Sequence, residues 1–264
     1  MTPEAVLAHY DKAAPWPSDR SCLGRTDVAA AYRDALALRA LRLARGERPV
    51  GYKIGFTNRT IWQRYGVFGP IWGPVWSTTL TRCDGHGTID LAGTLQPRIE
   101  PEIVFGIAAT PPRDATLEQV FGCIEWLAPG FEIVQSHCDW KFTAAETVAD
   151  GALHARLLVG RETPVRQFAR TGAELDDQLA AARLRLFKGD EAVDEGTGVN
   201  VLDGPLHALC HFVQELQACP GAPALQPGDV VTTGTWTDAW PIVPGETWRA
   251  EFEAPFDSLE ITLR

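Results

Sequence analysis

The stretch QPRIEPEIVFGI, residues 96–107, constrains this chain more than any other. It sets two carboxylates, Glu100 and Glu102, one residue apart in an otherwise apolar run. Side chains on a strand alternate faces. A strand here points both glutamates one way and Ile99, Pro101, Ile103 and Phe105 the other, into a core. Two carboxylates side by side repel. Water relieves them on an exposed face, whereas a buried face requires a cation. Ile103-Val104-Phe105 favours burial and hence a divalent metal. Pro101 equally suits a solvated edge strand. The spacing leaves both open.

The 264 residues admit one large domain, or one domain with a small appendage. A net charge of −10 argues against a nucleic-acid or anionic-membrane partner. A small anionic substrate then needs local positive charge or a metal. No apolar run approaches the roughly 18 residues of a membrane span. The start MTPEAVLAHYDKAAP has neither a basic opening nor a long apolar segment, so no signal peptide is expected. Six scattered cysteines without a C-x-x-C pair read as reduced thiols in a cytoplasm. Only four of the 24 basic residues are lysines, which makes Lys53, inside an apolar segment, stand out.

In chain order, Pro3 and the spacing of Val6, Leu7 and Tyr10 predict a short helix over 3–14. Thr26 is expected to cap a longer helix over about 27–45, ended by Gly46 and Pro49. Residues 1–48 thus read as a helical N-terminal region and 49–264 as a strand-rich body. Residues 49–58 predict a strand around Lys53, which either snorkels or is a buried amine poised for proton transfer or anion binding. The Gly-, Pro- and Trp-rich stretch 59–80 predicts a long surface loop with short strands. Thr116 starts a helix through Leu117, Val120, Phe121, Ile124 and Leu127, stopped by Pro129-Gly130.

Residues 131–142 begin as a strand carrying a third embedded carboxylate, Glu132. Thr143 and Glu146 spell a capping box. A strand follows over 156–160, then an irregular stretch to about 182. A hairpin over 183–196 turns at Gly189-Asp190. Asp203 is expected to cap a helix with Leu206, Leu209, Val213 and Leu216 inward, and strands fill 225–236, 246–254 and 258–264. This irregular alternation argues against a doubly wound sheet and predicts an α+β fold with a mixed, rolled sheet.

Glu100, Glu102 and Glu132 together suggest a hard-cation site for Mg²⁺ or Mn²⁺. The six histidines are dispersed. His207 and His211, four apart on a helix, read as a partly exposed face, and H-E-x-x-H is absent. G-x-G-x-x-G, the P-loop and G-x-S-x-G are absent too, so nucleotide binding and serine-hydrolase chemistry have no support.

GYKIGFTN, QPRIEPEIVFGI, FEIVQSHCDWKFTAAETVADGA and PGDVVTTGTW occur in that order across most of the chain. This ordered set resembles the fumarylacetoacetate hydrolase superfamily, in its 2-keto-4-pentenoate hydratase / 4-oxalocrotonate decarboxylase branch. The resemblance implies a mixed β-roll with a short helical N-terminal region. It implies Mg²⁺ or Mn²⁺ on Glu100, Glu102 and Glu132, and Lys53 as the active-site lysine. It further implies a small anionic 2-oxo or 2-hydroxy-dienoic acid from aromatic catabolism. The metal, on the 1-carboxylate and 2-oxygen, would stabilise an enolate. Lys53 would bind the carboxylate or relay protons. Water addition makes such an enzyme a hydratase, and loss of a second carboxylate makes it a decarboxylase.

Substrate-binding groups are expected at Ser77, Thr78, Gln135, Lys141 and Thr235. Several of these depart from the pattern. Ser77 and Thr78 stand where the hydratases usually carry two aspartates. Gln135 stands where I-V-D-S is usual, and Gly151 and Leu153 where Asn and small Ser residues are usual. These changes keep the metal triad and alter the substrate end. Trp62, Trp72, Trp76, Trp140, Trp236 and Trp240 supply either an aromatic pocket or core and subunit contacts. The reading is a metal-dependent hydratase. The alternatives are a 4-oxalocrotonate-type decarboxylase, an acylpyruvate-type C–C hydrolase, which a His/Glu pair near the metal would support, and a catalytically silent partner subunit. A homo-oligomer is expected, with a partner enzyme of the same pathway as a further possibility.

Overall fold

The computed structural model describes residues 1–17, 27–59, 62–65 and 68–264. Helices α1 (Pro3–Lys12) and α2 (Val28–Ala44) open the chain. Thr2 caps α1 by accepting from Ala5 N, and Asp27 caps α2 by accepting from Ala29 N. The expected cap Thr26 lies outside the described residues. Strands β1 (Pro49–Gly55), β2 (Ile71–Trp76), β3 (Leu80–Arg82) and β4 (His86–Ile89) follow, with the one-turn helix α3 (Trp62–Tyr65) between β1 and β2. The Trp-rich stretch expected as a surface loop with short strands does hold a strand, β2, but a buried one. Ile71, Trp72, Val75 and Trp76 are buried, because β2 pairs along the length of β1.

The central pair is β5 (Arg98–Ile107) against β6 (Ile124–Val134), antiparallel from Arg98↔Val134 to Ile107↔Ile124. A helix through Ile124 and Leu127 was expected, but α4 stops at Phe121 (Leu117–Phe121). The register shift between Gly106 and Ile107 explains the misleading pattern. A bulge inserts a residue and flips the alternation, so Ile124 and Leu127 both reach the core at a spacing that mimics a helix. Pro129 and Gly130 then lie inside the strand rather than at a helix end.

Helix α5 (Ala144–Ala149) carries the expected capping box, Thr143 with Glu146. It leads through a tight turn into β7 (His154–Val159) and β8 (Thr163–Pro164). The stretch read as irregular holds α6 (Gly172–Ala181), capped by Thr171 and buried through Leu175 and Leu179. The hairpin β9 (Arg183–Lys188) and β10 (Glu191–Thr197) turns where expected, with Gly189 left-handed at φ 57°. Helix α7 (Pro205–Ala218) buries Leu206, Leu209, Val213 and Leu216. Its N-cap is Gly204, not Asp203; Asp203 accepts from Arg59 at 2.6 Å instead. The chain ends in β11 (Val230–Thr232), β12 (Trp240–Pro241), β13 (Thr247–Phe252) and β14 (Leu259–Leu263).

Among the described residues the strands form two sheets. One runs β2-β1-β11-β5-β6-β7-β3, with β12 and β8 added at the β5 and β6 edges; the other runs β10-β9-β13-β14-β4. Ile99, Ile103 and Phe105 of the first sheet meet Leu184, Leu186, Trp248 and Ile261 of the second, and α7 adds Leu206, Leu209 and Phe212. Fully burying such a side chain contributes about 1.5–3 kcal/mol. This is the mixed α+β roll that the strand pattern predicts. The opposite face of the first sheet lies toward the N-terminal helices. There Ala31 of α2 packs with Ile71 and with Ala145 and Val148 of α5. That second face carries the chemistry. No helix among the described residues is long and apolar enough to cross a membrane.

Candidate active site

Four adjacent strands present one polar floor. β1 pairs with β11 through Lys53↔Thr232, β11 with β5 through Thr232↔Val104, and β5 with β6 through Glu100↔Glu132. Alternation then points Glu100 and Glu102 the same way, opposite the buried Ile99 and Ile103. One oxygen from each of Glu100, Glu102 and Glu132 lies within 4.8 Å of the other two. Among the described residues this is the one group of three or more His, Cys, Asp or Glu side chains so placed. The strand reading with a buried face therefore holds, and the solvated-edge alternative does not: Glu102 and Glu132 are 0% exposed.

Burial of charge on this scale demands compensation. Lys53 supplies part of it. Its Nζ lies 2.9 Å from Glu132 Oε2, and the side chain is buried rather than snorkelling. Burial alone would push the ammonium pKa down, but Glu132, Glu100 and Glu102 together hold it above the ordinary lysine value. One cation against three carboxylates is not enough. Burial pushes Glu100 up to about 7, with Lys53 opposing and Glu132 adding. Burial and the charges of Glu132 and Glu100 push Glu102 well above the carboxylate range. Glu102 Oε1 is buried with no hydrogen-bond partner.

The donor set suits a hard divalent cation: three carboxyl groups with an oxygen each within 4.8 Å of the others, no sulfur, and a buried Glu102 oxygen without a hydrogen-bond partner. The remaining groups hold these donors in place. Glu102 Oε2 accepts from the Thr232 hydroxyl and, at 2.6 Å, from Gly234 N. Gly234 has φ 109°, and a Cβ there would sit 2.0 Å from Thr57 Oγ1, so only glycine brings this amide to the carboxylate. Behind Glu132 lies His154, whose Nδ1 is 2.8 Å from Glu132 Oε1 and whose Nε2 is 2.8 Å from Thr79 Oγ1. Burial lowers the His154 pKa, so the ring is neutral. It donates to the carboxylate and accepts from the threonine hydroxyl.

Over this floor opens a cavity of about 310 Å³, lined by Lys53, Asn58, Arg98, Glu100, Trp140 and Thr235 among others. Ala152 and Leu153 form part of its wall from a left-handed turn, with φ 56° and 65°. Asp150 anchors that turn by accepting from His137 N at 2.9 Å and from His137 Nδ1 at 2.7 Å. A larger groove, about 470 Å³, runs along β9, β10 and β13. Its charges are surface residues such as Arg185 and Glu251, paired at 2.8 Å, and it holds no buried donor cluster.

Of the residues expected to meet substrate, Thr235 lines the cavity, and Ser77, Thr78, Gln135 and Lys141 do not. Gln135 is buried, and its Oε1 accepts from Leu95 N, tying down the preceding loop. Ser77 and the exposed Thr78 sit in the turn after β2, and Lys141 is exposed. Thr79, one residue on, is the member of that turn that reaches the site, through His154. Of the six tryptophans singled out, Trp140 lines the cavity. Trp72, Trp76 and Trp236 are buried core, and Trp62 and Trp240 pack against it. His207 pairs with Asp176 at 2.8 Å on the surface of α7.

A mixed β-roll with an oxygen-only donor set and a buried lysine on the floor of a cavity is the frame of a hard-cation enzyme. The chain belongs to the fumarylacetoacetate hydrolase family: the model of its C-terminal domain matches residues 77–262. It is 32% identical to 2-hydroxyhexa-2,4-dienoate hydratase of Comamonas testosteroni, over 82% of this chain and 79% of that one. It is 31% identical to 4-oxalocrotonate decarboxylase of a Pseudomonas species, over 86% of this chain and 85% of that one. Its fold matches the solved structure of 4-oxalocrotonate decarboxylase from Pseudomonas putida G7, complexed with magnesium and adipate. The TM-score is 0.87 at 23% identity, covering 99% of this chain and 95% of the other.

The raised carboxylates set a pH dependence. In the metal-free chain the folded value of Glu100, about 7, lies above its ordinary 4.5. The folded state therefore holds protons that the unfolded chain releases. That stability is present at low pH and lost as pH rises through about 7. With EDTA, the melting temperature should fall between about pH 5.5 and about pH 8. Mn²⁺ at about 100 times its Kd should raise it by roughly 5–10 °C at the higher pH and by less at the lower one. Thermal melts at both pH values check this; a curve indifferent to pH and Mn²⁺ contradicts it.

Proposed function

We propose that this chain is a divalent-metal-dependent lyase, a hydratase, acting on a small 2-hydroxy-2,4-dienoate or the related 2-oxo acid in aromatic catabolism. The observation that carries the reading is the triad of the half-buried Glu100 and the buried Glu102 and Glu132, with the orphaned Glu102 oxygen, beside Lys53 at the floor of a cavity. The activities of the two relatives, a 4-oxalocrotonate decarboxylase and a 2-hydroxyhexa-2,4-dienoate hydratase, support it. The three glutamates would hold Mg²⁺ or Mn²⁺, which when bound supplies a Lewis acid for the substrate's 2-oxygen and carboxylate.

The chain's own residues do the rest. Lys53 Nζ carries a proton at the cavity floor and is the group placed to pass one to or from the substrate carbon chain. His154, held by Thr79, fixes the Glu132 carboxylate. Thr232 and Gly234 fix Glu102. Ile54, Ile71, Val134 and Leu153 make apolar walls that exclude bulk water and strengthen each charge contact inside. Thr235, Thr237 and Asn58 offer polar groups at the rim.

A hydrolase using a Glu–His dyad is disfavoured. The His154–Glu132 pair exists, but both ring nitrogens are engaged behind the triad, and His9 on α1 bonds Ala14 O. A homo-oligomer and a reducing cytoplasm belong to the same reading; the five described cysteines form no disulfide.

The test is the ultraviolet absorbance of 2-hydroxypenta-2,4-dienoate and of 2-hydroxyhexa-2,4-dienedioate, followed with Mg²⁺ and with EDTA. Metal-dependent loss of either dienoate, with the hydrated 2-oxo acid as product, is expected. No loss of either in a protein that binds Mn²⁺ contradicts the reading.

A further inference from the structure

The row of side chains that bears the triad continues to a residue the chemistry above leaves idle. On β5, Arg98, Glu100, Glu102 and Val104 alternate onto one face. Val104 and Glu102 are fully buried, Glu100 is half-buried, and Arg98 is half-buried at the cavity wall. The row thus runs from a closed apolar end, past the ligands, to the mouth. Lys53 and Arg98 are the two cationic side chains among the described residues lining the cavity. Lys53 is committed to Glu132. Arg98 has no ion-pair partner among the described residues. Its guanidinium carbon lies 4.0 Å from the centre of the Trp140 ring. The other charged groups at the cavity are Glu100, which feels Arg98 along the strand, and the exposed Asp238.

The platform under Arg98 is held in place at a backbone cost. Gln96, Asp139 and Trp140 are all left-handed, with φ 50°, 49° and 56°, a region that non-glycine residues enter only under constraint. Their side chains and amides lock one another. Trp140 Nε1 donates to Gln96 O at 3.1 Å, Trp140 N to Ser136 Oγ at 3.3 Å, and Gln96 Nε2 to Asp139 Oδ1. Three such residues around one arginine keep a planar, always-charged fork stacked and open at the mouth. That fork suits a carboxylate, which it takes bidentately.

We propose that Arg98 is the specificity-determining residue of this site, binding the second carboxylate of a dicarboxylic 2-oxo acid whose other end lies at the triad and Lys53. This rests on the metal-site reading above. Residues two apart on a strand lie about 6.7 Å apart. A chain of about six carbons, with bonds near 1.5 Å, spans a similar length. A diacid of that size therefore reaches from the ligands to the guanidinium, and a monoacid of equal length leaves Arg98 unused.

The test uses Mn²⁺-loaded protein and two saturated acids, which have no double bond to hydrate and differ only at the far end, 2-oxohexanedioate and 2-oxohexanoate, titrated by calorimetry. Wild type should bind the diacid on the order of 10–100-fold more tightly. Arg98→Met should bring the two within about 3-fold, and Arg98→Lys, a point charge without the fork, should keep part of the preference. Mn²⁺ affinity of Arg98→Met should be equal or tighter, because a positive charge near the cation has gone. A preference that survives Arg98→Met, or is missing in wild type, overturns the inference. So does weaker Mn²⁺ binding, which would make Arg98 a support for Glu100. If neither acid binds the loaded wild type, the metal-site reading fails and this inference with it. Equal binding of both acids defeats the Arg98 inference alone.

Discussion

Glu102→Gln will lower Mn²⁺ affinity by about 100-fold or more and turnover by about 10³-fold, while the metal-free variant melts at a higher temperature than metal-free wild type. The opposed signs follow from the surroundings of one side chain. Glu102 Oε2 accepts from Thr232 and Gly234, and a glutamine oxygen preserves both contacts. Its amide replaces Oε1, the buried oxygen without a partner, and turns a ligand into a donor facing two carboxylates. Without metal, burial and the neighbouring charges hold the Glu102 carboxyl well above its ordinary range, so folding at neutral pH requires taking up a proton that the unfolded chain releases. Glutamine cannot ionise, and that penalty disappears. Calorimetric Mn²⁺ titration and melts with EDTA at about pH 8 read both effects. A variant that keeps Mn²⁺ affinity, or is less stable than wild type without metal, contradicts the triad.

Lys53→Met separates binding from chemistry. The lysine is 3% exposed and its ammonium touches Glu132. Its loss leaves the buried Glu102 and Glu132 without their counter-cation, at a cost of about 3–5 kcal/mol to the metal-free fold. The same loss makes the cluster more negative, so Mn²⁺ binds at least as tightly as in wild type. Turnover should nevertheless fall by about 10²–10⁴-fold, the usual contribution of a positioned proton donor or acceptor. Denaturant unfolding with EDTA, Mn²⁺ titration and steady-state kinetics on one preparation check the three parts. A loaded Lys53→Met that retains more than about a tenth of wild-type turnover would remove the lysine from the chemistry.

The parts of this molecule legible in its sequence are those set by local pattern. Glu100 and Glu102 were readable because period-2 alternation is a property of the strand itself, and Glu132 because a carboxylate between Phe131 and Ile133 is costly to bury. The capping box at Thr143 and the glycine of the β9–β10 turn are local too. What escaped depends on distant partners. Ile124 and Leu127 look helical because a bulge opposite Gly106 shifts their phase. Helix α6 was hidden by a charge-rich surface, with Leu175 and Leu179 as its only apolar marks. Asp203 looks like a cap but is drawn to Arg59, and Gln135 looks like a substrate contact but ties Leu95. His154 carries no signal at all: its meaning comes from Glu132 and Thr79, each far away in sequence. Arg98 was in plain view, two residues before Glu100, on a face the alternation already defined.

The central claim is that Glu100, Glu102 and Glu132 would hold a divalent cation supplying a Lewis acid, and that Lys53 beside it moves a proton at the carbon next to a 2-oxo acid's carbonyl. Deuterium uptake at C3 of 2-oxohexanedioate in heavy water, followed by proton NMR, tests it without depending on the natural substrate. The account predicts uptake by wild type with Mg²⁺, none with EDTA or Glu102→Gln, and strongly slowed uptake in Lys53→Met. Uptake indifferent to EDTA and to Glu102→Gln, or none in wild type that binds both Mg²⁺ and the acid, would contradict it.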